Sequence, residues 1–457
     1  MREGSYDTDD CIMALATPWG EAALAVIRMA GEGSIERVAE VFSSGAVLCG
    51  SEGNTVHYGT IRHPQKGASV DEVTVTVFRA PRSYCGQDSV EITCHGSLPG
   101  IVMIREVLRE VGFRDASPGE FTLRAFLNGK MDLTRAEAVN EIVSAKTRNS
   151  HSLALSRLSG SIQSEIGSIK SDLVQVAAAL ELVLDYPEDE VGDEVEVPPD
   201  FLESAGRRLA DLSATFRTGR MYREGVPVAL AGRTNAGKSS LFNLFLKEDR
   251  SIVSDVHGTT RDYIESWISL RGIPVRLFDT AGLRDTASPV EVEGVRRSRN
   301  LIQAASLVLY VVDSLDGISS MDEDFVEEHR ERCIPVWNKI DLWSQEREAV
   351  PEGYVRVSSA TGEGFRELEA RIFERLHTGI DPFDASTAVL DSQRQKDLID
   401  QAAEAVVLVT KGLREGLPAD IVMVDLRDAL TALGEITGEV TSADILERIF
   451  SDFCVGK

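Results

Sequence analysis

The stretch Gly232-Arg-Thr-Asn-Ala-Gly237-Lys238-Ser239-Ser240 constrains what this chain can fold into more than any other. It follows the short apolar run Val226-Pro-Val-Ala-Leu-Ala231 and opens a segment with helical spacing. An apolar run without polar alternation reads as a strand buried on both faces of a parallel sheet, which needs crossover helices to cover it. Strand, glycine-bearing loop and helix in that order make a phosphate cradle. Gly232 and Gly237 let several N–H groups turn inward onto one anion, at the positive end of the following helix. Lys238 then reaches the terminal phosphates and the Ser239 hydroxyl ligates Mg²⁺, with Asn235, Ala236 and Ser240 completing the loop. A nucleoside triphosphate is implied.

The base is read downstream, where the apolar run Ile334-Pro-Val-Trp ends in Asn338-Lys339-Ile-Asp341. A fixed carboxylate at Asp341 accepts from both the ring N–H and the exocyclic amine of guanine, a donor pair that adenine lacks. Two further pieces lie in order: Leu277-Phe-Asp279-Thr280-Ala281-Gly282, and Val357-Ser358-Ser359-Ala360. Asp279 is expected to hold the Mg²⁺ shell, Gly282 to sense the γ-phosphate, and the Ser358-Ser359 turn to approach the base. Ser254-Asp255-Val256-His257-Gly258-Thr259-Thr260 falls where a switch segment belongs, its carbonyls around the phosphates and Thr260 as second hydroxyl ligand of Mg²⁺. After Asp-Thr-Ala-Gly comes Leu283, which cannot orient a water as a glutamine does there in Ras-like enzymes. Arg284, Asp285, Glu291 and Glu293 are nearby alternatives, and the residues alone do not choose among them. Asn235 offers a side-chain carbonyl for a monovalent cation against the phosphates, in place of an arginine finger.

At 457 residues the chain has about three domains' worth of length. Its net charge of −26 argues against a broad nucleic-acid surface, so RNA contacts are confined to local patches. Arg207, Arg208, Arg217, Arg220 and Arg223 form one patch and Arg296, Arg297 and Arg299 another, although arginines amid so many carboxylates commonly pair within the protein. The acidic start lacks the apolar run of a signal peptide, and no apolar stretch reaches the ~20 residues of a membrane span. A cytoplasmic location is expected. Six scattered cysteines, none in a Cys-x-x-Cys pair, suggest neither a zinc site nor a disulfide framework.

Along the chain, residues to about Arg124 read as mixed α and β, with Val73-Thr-Val-Thr-Val77 and Val90-Glu-Ile-Thr-Cys94 alternating at period two. Ser97 to Val111 reads as a helix stopped by Gly112. Helical spacing runs from Thr134 to about Leu184, breaks at the acidic loop Asp185 to Asp200, and resumes to about Thr218. The nucleotide unit ends near His377, Asp381-Pro-Phe marks a linker, and helices follow to Phe453. The expected fold is multidomain, α/β with all-α parts: an N-terminal α+β domain over 1–124, a helical domain over 125–221 and 381–457, and a Ras-like P-loop domain inserted over 222–380.

The loop 232–241, Gly258-Thr-Thr-Arg-Asp262, Asp279-Thr-Ala-Gly-Leu-Arg284, Phe121-Thr-Leu-Arg-Ala-Phe-Leu-Asn-Gly-Lys130, Glu435-Ile-Thr-Gly438 and the terminal Phe453-Cys-Val-Gly-Lys457 together resemble the MnmE (TrmE) family. These are bacterial tRNA-modification GTPases of the TrmE-Era-EngA-YihA-Septin-like class, and the resemblance covers essentially the whole chain. It implies a K⁺-activated GTPase that dimerises through its N-terminal domain and brings two G domains together during hydrolysis. By the same resemblance Asn235, Ser254, Val256 and Thr259 hold K⁺, and Glu291 positions the hydrolytic water. The N-terminal domain resembles folate-binding modules, which implies that Arg28, Glu91, Lys130 and Lys457 contact a 5-formyl-tetrahydrofolate-type carrier. Cys454 in the tail is a candidate for modification chemistry. The implied partner is the flavoprotein MnmG (GidA), acting with this chain to install an aminomethyl or carboxymethylaminomethyl group at C5 of the wobble uridine of certain tRNAs. Departures are Thr234 for a common proline, Cys85 and Gln87 within Tyr84-Cys-Gly-Gln-Asp88, and Cys94-His-Gly-Ser97 for Gly-His-Gly-Gly, the last two touching the folate pocket. A GTP-controlled RNA or ribosome-assembly switch is the alternative, and a non-catalytic folate-binding scaffold a weaker one.

Overall fold

The computed structural model describes residues 10–185, 199–248, 264–279, 300–343, 350–377 and 387–457. The chain divides into two compact units, residues 1–140, 158–193 and 411–457 in the first and 141–157 and 194–410 in the second. Among the described residues no helix is long and apolar enough to cross a membrane.

The first unit is built on six strands, β1 (Ile12–Leu15), β2 (Ala22–Ala30), β3 (Thr55–Arg62), β4 (Ser69–Phe78), β5 (Ser89–Gly96) and β6 (Arg114–Asp115). They lie in the order β3-β4-β5-β2-β1-β6, with β6 parallel to β1 and every other pair antiparallel. The period-two runs read from the sequence are the middles of β4 and β5. Val73, Val75 and Val77 are buried together with Val90, Ile92 and Cys94, and the register sets Val75 against Ile92 and Val77 against Val90. That face meets the helices Ser34–Val41 and Leu98–Glu110, whose Ile35, Val38, Ile101, Ile104 and Leu108 share its core. The expected helix from Ser97 is present, with the Ser97 hydroxyl accepting the Gly100 N–H at 3.2 Å as its N-cap and Gly112 in a left-handed conformation just beyond its end. Alternation sends the intervening residues to the opposite face. There Arg28 of β2 stands opposite Glu91 of β5, which stands opposite Thr76 of β4. The helix Glu120–Leu127 brings Phe121 to this side of the sheet, where it packs with Ile12, Ala14, Ala30, Cys85 and Ala116. Farther along the chain, Ser161–Asp185 buries Ile162, Ile166, Ile169, Leu173, Val176 and Leu180, one helical stripe, and lies along Ala419–Thr437.

The second unit is a parallel sheet of β7 (Val226–Ala231), β9 (Ile273–Asp279), β10 (Leu307–Asp313), β11 (Cys333–Asn338) and β12 (Val355–Val357), with β8 (Ile264–Leu270) antiparallel on its edge. The order is β12-β11-β10-β7-β9-β8. β7 therefore lies where the connections diverge, one leading to β9 and the later one to β10, and such a switch point opens a crevice at the carboxyl ends of the strands. β7 is apolar on both faces because both are covered. Val228 and Leu230 pack with Leu241 and Phe245 of Lys238–Glu248 and with Leu368 and Ile372 of Phe365–His377. Ala229 and Ala231 join Val308, Tyr310 and Trp337 on the other side, against which Phe325 of Ser320–Glu328 packs.

The helical stretches depart from the expected boundaries in two places. The 134–184 run is three helices, Leu133–Ser144, Arg148–Leu158 and Ser161–Asp185, the last preceded by Gly160 at φ 99°. The helix resuming after the acidic loop does not stop near Thr218. It breaks at Thr215, whose hydroxyl donates to the Leu212 carbonyl at 2.6 Å and accepts the Leu390 N–H at 3.0 Å, and a second helix, Phe216–Glu224, leads straight to β7. Apolar spacing is weak there because Gly219 provides the close approach: a Cβ on it would lie 1.9 Å from the Leu390 carbonyl oxygen.

Candidate functional site

The loop after β7 adopts a shape that its glycines make possible. Gly232 has φ 131°, Gly237 φ 94° and Asn235 φ 62°. A Cβ on Gly232 would lie 2.1 Å from the Val311 carbonyl oxygen, and one on Gly237 2.2 Å from Asn338 Nδ2. Lys238, at the first turn of the helix, is buried and folds back across the loop, its Nζ donating to the carbonyls of Gly232 (2.9 Å) and Arg233 (2.6 Å). The neighbouring Ser239 hydroxyl donates to Asp279 Oδ2 at 2.8 Å, with Asp279 buried at the end of β9. A hydroxyl and a carboxylate oxygen in contact are hard oxygen donors of the kind Mg²⁺ takes. Asn235 is exposed on the loop, Ala236 is buried, and Ser240 is exposed in the first turn of the helix Lys238–Glu248.

The residues expected to read guanine are braced to this loop. Asn338, fully buried at the end of β11, donates from Nδ2 to the Ala236 carbonyl at 2.8 Å. Its Oδ1 accepts the Ser359 N–H (3.1 Å) and hydroxyl (2.7 Å). One amide thus ties together the phosphate loop and the turn after β12. Ser358 donates from its hydroxyl to Asp341 Oδ1 at 2.6 Å, leaving the carboxylate's other oxygen unused by that bond. Lys339 sits in a left-handed backbone at φ 65°, and its Nζ reaches Asp313 Oδ2 at 2.6 Å. Ala360 follows in the same turn. Asp313 and Ser314, whose hydroxyl donates to the Lys339 carbonyl at 3.1 Å, received no role from the sequence. Their signal was positional: they close the apolar run of β10, the strand between β7 and β11.

Asn235, Ala236, Gly237, Lys238, Ser239, Ser240, Asp279, Asn338, Lys339, Asp341, Ser358, Ser359 and Ala360 are therefore gathered at the carboxyl ends of β7, β9, β11 and β12. Ser254, Asp255, Val256, His257, Gly258, Thr259, Thr260, Thr280, Ala281, Gly282, Leu283 and Glu291 lie outside the described residues, as do Arg296, Arg297 and Arg299. In the other arginine patch, Arg220 pairs with Glu224 at 2.8 Å and Arg223 approaches Asp391 at 3.6 Å, so both have intramolecular partners.

A second cluster lies on the outer face of the first unit's sheet. Arg28 donates from Nε to Glu91 Oε1 at 2.8 Å and from Nη1 to the Gly456 carbonyl at 3.1 Å. Its guanidinium stands 5.4 Å from the Tyr84 ring centre and 5.8 Å from that of Phe121. Arg28, Phe78, Tyr84, Cys85, Glu91 and Phe121 border a cavity of ≈ 60 Å³. The terminal segment is anchored by Phe453, buried with Leu123, Leu133 and Phe450, and reaches this cluster at Gly456, whose φ is 98°, with exposed Cys454 between them. Burial, and then the charge of Arg28, hold the Lys457 ammonium below its ordinary pKa. Lys130 is directed to the 81–87 loop, where Nζ donates to the Pro81 carbonyl at 2.8 Å. Arg28, Glu91 and the tail are thus brought together, and Lys130 borders the loop that carries Tyr84 and Cys85.

Two family models match the chain: the MnmE helical domain over residues 133–454 and the GTP-binding protein TrmE N-terminus over residues 11–130. The chain is 43% identical to a tRNA modification GTPase MnmE of Treponema denticola over 474 aligned positions, covering 100% of each. It is 42% identical to the protein of that name from Borrelia recurrentis, covering 99% of each, and 40% identical to that of Carboxydothermus hydrogenoformans, covering 98% of this chain and 100% of the relative.

Proposed function

The chain belongs to the MnmE family of tRNA modification GTPases, and from that premise we propose that it is a K⁺-activated GTPase that works with a tetrahydrofolate one-carbon carrier and a flavoprotein partner of the MnmG kind. Hydrolysis of GTP in the service of tRNA modification is the family's activity and this chain's. The finer reading is that the modification places an aminomethyl or carboxymethylaminomethyl group at C5 of a wobble uridine, in a homodimer joined through residues 1–124. In this reading 125–221 and 381–457 form the helical part and 222–380 the G domain.

The observation that carries the folate assignment is the convergence of Arg28, Glu91 and the Gly456 carbonyl, the last 428 positions away from Arg28 in the chain. The donor chemistry suits a folate. A carboxylate at Glu91 accepts from the amino and ring N–H donors of a pterin, and the cations Arg28, Lys130 and Lys457 suit its anionic tail. The cavity is small while the Arg28–Glu91 pair is closed, ≈ 60 Å³. Folate binding in this reading requires that pair to part, after which Arg28 is free for the ligand. The lowered Lys457 pKa fits an ammonium that gains from an anionic neighbour. Cys454, an exposed free thiol three residues before Lys457 in the tail, is the candidate for modification chemistry in this reading.

For the nucleotide, Ser239 and Thr260 would hold Mg²⁺, whose charge would stabilise the transferring phosphoryl oxygens. K⁺ is assigned to Asn235 with oxygens of Ser254, Val256 and Thr259, and the hydrolytic water to Glu291. Support for the K⁺ assignment is Asn235 itself, exposed in the loop beside the residues that grip phosphate. Titrating 5-formyl-tetrahydrofolate into the full-length protein tests the folate reading. Wild type is expected to bind, and Glu91→Ala to bind at least about tenfold more weakly with an unchanged circular dichroism spectrum. A wild-type protein that ignores the compound overturns it.

A further inference from the structure

Among the phosphate-loop side chains that none of these roles uses is Arg233. Arg233 turns away from the loop to meet Asp322 on the helix Ser320–Glu328, with Nε 3.3 Å from Oδ1 and Nη2 2.6 Å from Oδ2, and Nη2 also donates to the Gly317 carbonyl at 2.6 Å. The Asp322 side chain is 1% exposed and accepts besides from the Tyr310 hydroxyl (2.8 Å), the Ser319 N–H (2.8 Å) and the Ser319 hydroxyl (2.7 Å). Burial alone would push its carboxyl pKa up. The bonds from Ser319, Tyr310 and Arg233 together outweigh that and hold it below the ordinary carboxylate value, so it is a fixed anion.

Part of this is a helix cap. Ser319 and Asp322 exchange the two bonds of a capping box, which satisfies the first turn without Arg233. The arginine adds something a cap does not need. Its side chain is 42% exposed and that of Asp322 1%, so the contact pins a partly solvated arginine to a buried, immobile anion. The backbone of Arg233 supplies the carbonyl that accepts the Lys238 ammonium at 2.6 Å, next to the Gly232 carbonyl that accepts it at 2.9 Å. From the strand β10 the connections run Tyr310, Asp322, Arg233, Lys238.

We propose that Asp322 is a positioning residue for the triphosphate: by clamping Arg233 it fixes the two carbonyls that aim Lys238, and so sets the geometry of the phosphate grip. No motif marks it, because it lies beyond the end of β10 and is separated from the loop by 89 positions. Its effect is confined to the nucleotide's phosphates, since Asp341 and Ser358 are fixed by their own bond.

The test uses the full-length protein with Mg²⁺ and a fluorescent GTP analogue. Asp322→Asn and Arg233→Ala should each weaken nucleotide affinity about tenfold, as expected when a hydrogen bond to a charged group is removed. The double variant should be no weaker than either single one, since both act through one contact. Arg233→Lys, which keeps the charge but cannot span both carboxylate oxygens, should fall between wild type and Arg233→Ala. Tyr310→Phe removes a different donor from Asp322, and should lower the melting temperature while leaving affinity within about twofold. Losses that multiply in the double variant, wild-type affinity in Asp322→Asn, or a Tyr310→Phe loss as large as that of Asp322→Asn would each overturn the proposal. Should Asp322→Asn fail to fold, Arg233→Ala and Arg233→Lys decide it, because both leave the helix cap intact. Wild-type affinity in Arg233→Ala then refutes the clamp, and a graded loss supports it.

Discussion

Asn338 illustrates how much of this site rests on single side chains. Its amide bridges the Ala236 carbonyl and the Ser359 backbone and hydroxyl in a fully buried position, so truncating it strands buried polar groups on two loops. Asn338→Ala is expected to weaken GTP binding by at least about tenfold and to lower the melting temperature, because each stranded group costs about 1–3 kcal/mol. Calorimetric titration with GTP and thermal unfolding check this, and wild-type affinity would remove the brace from the account. Asn338 and Asp341 were legible because a short motif fixes both their chemistry and their place after a strand. Asp313, Ser314 and Asp322 were not, because their partners, Lys339 and Arg233, are distant in sequence and no spacing announces the pairing.

At the scale of elements, the period-two runs of β4 and β5 and the unalternating run of β7 could be read directly, since each pattern reports which faces are covered. The break at Thr215 could not, because the Leu390 backbone that meets it comes from far along the chain. The helix Glu120–Leu127, which delivers Phe121, is tied to β6 by charge rather than by apolar contact. Arg114 and Arg124 converge on Glu120 at 2.7 Å and 2.8 Å, and both also pair with Asp10. Burial raises the Glu120 pKa, but the bonds from Arg114, the Ser117 N–H and Arg124 bring it below the ordinary value, and Asp10 shifts down in the same way. Carboxylates held low in the folded state contribute stability that is fully present above their unfolded pKa of about 4 and is lost as pH falls through the folded value. Urea unfolding followed by circular dichroism should therefore show stability dropping below about pH 4. Glu120→Gln should be less stable than wild type at pH 7 and should narrow the gap as the pH falls. A gap that stays constant with pH would contradict this pairing.

For the molecule as a whole, the sequence announced two sheets with separate cores and helices between and after them, and both sheets are present. Composition could not show how the helical stretches are shared: 158–185 and 411–457 belong with the first sheet, while 199–224 and 387–410 belong with the second. A net charge of −26 leaves little surface for tRNA phosphates, so a tRNA-modifying protein of this composition needs local contacts or a partner that supplies the cations. Assigning K⁺ to Asn235 predicts GTP turnover markedly faster in K⁺ than in Na⁺, with the difference lost in Asn235→Ala, and phosphate-release assays in the two salts check it. Equal wild-type rates would remove K⁺ from the mechanism. In the proposed function the nucleotide site and the Arg28–Glu91 pocket serve one reaction. Incubating the full-length protein with the proposed flavoprotein partner, tRNA, GTP and a tetrahydrofolate carrying a labelled one-carbon unit, then measuring label at the wobble uridine, tests this. Label is expected with GTP, none with a non-hydrolysable analogue, and none with Glu91→Ala; GTP consumed by an active mixture without label reaching the tRNA would refute the coupling of the two sites.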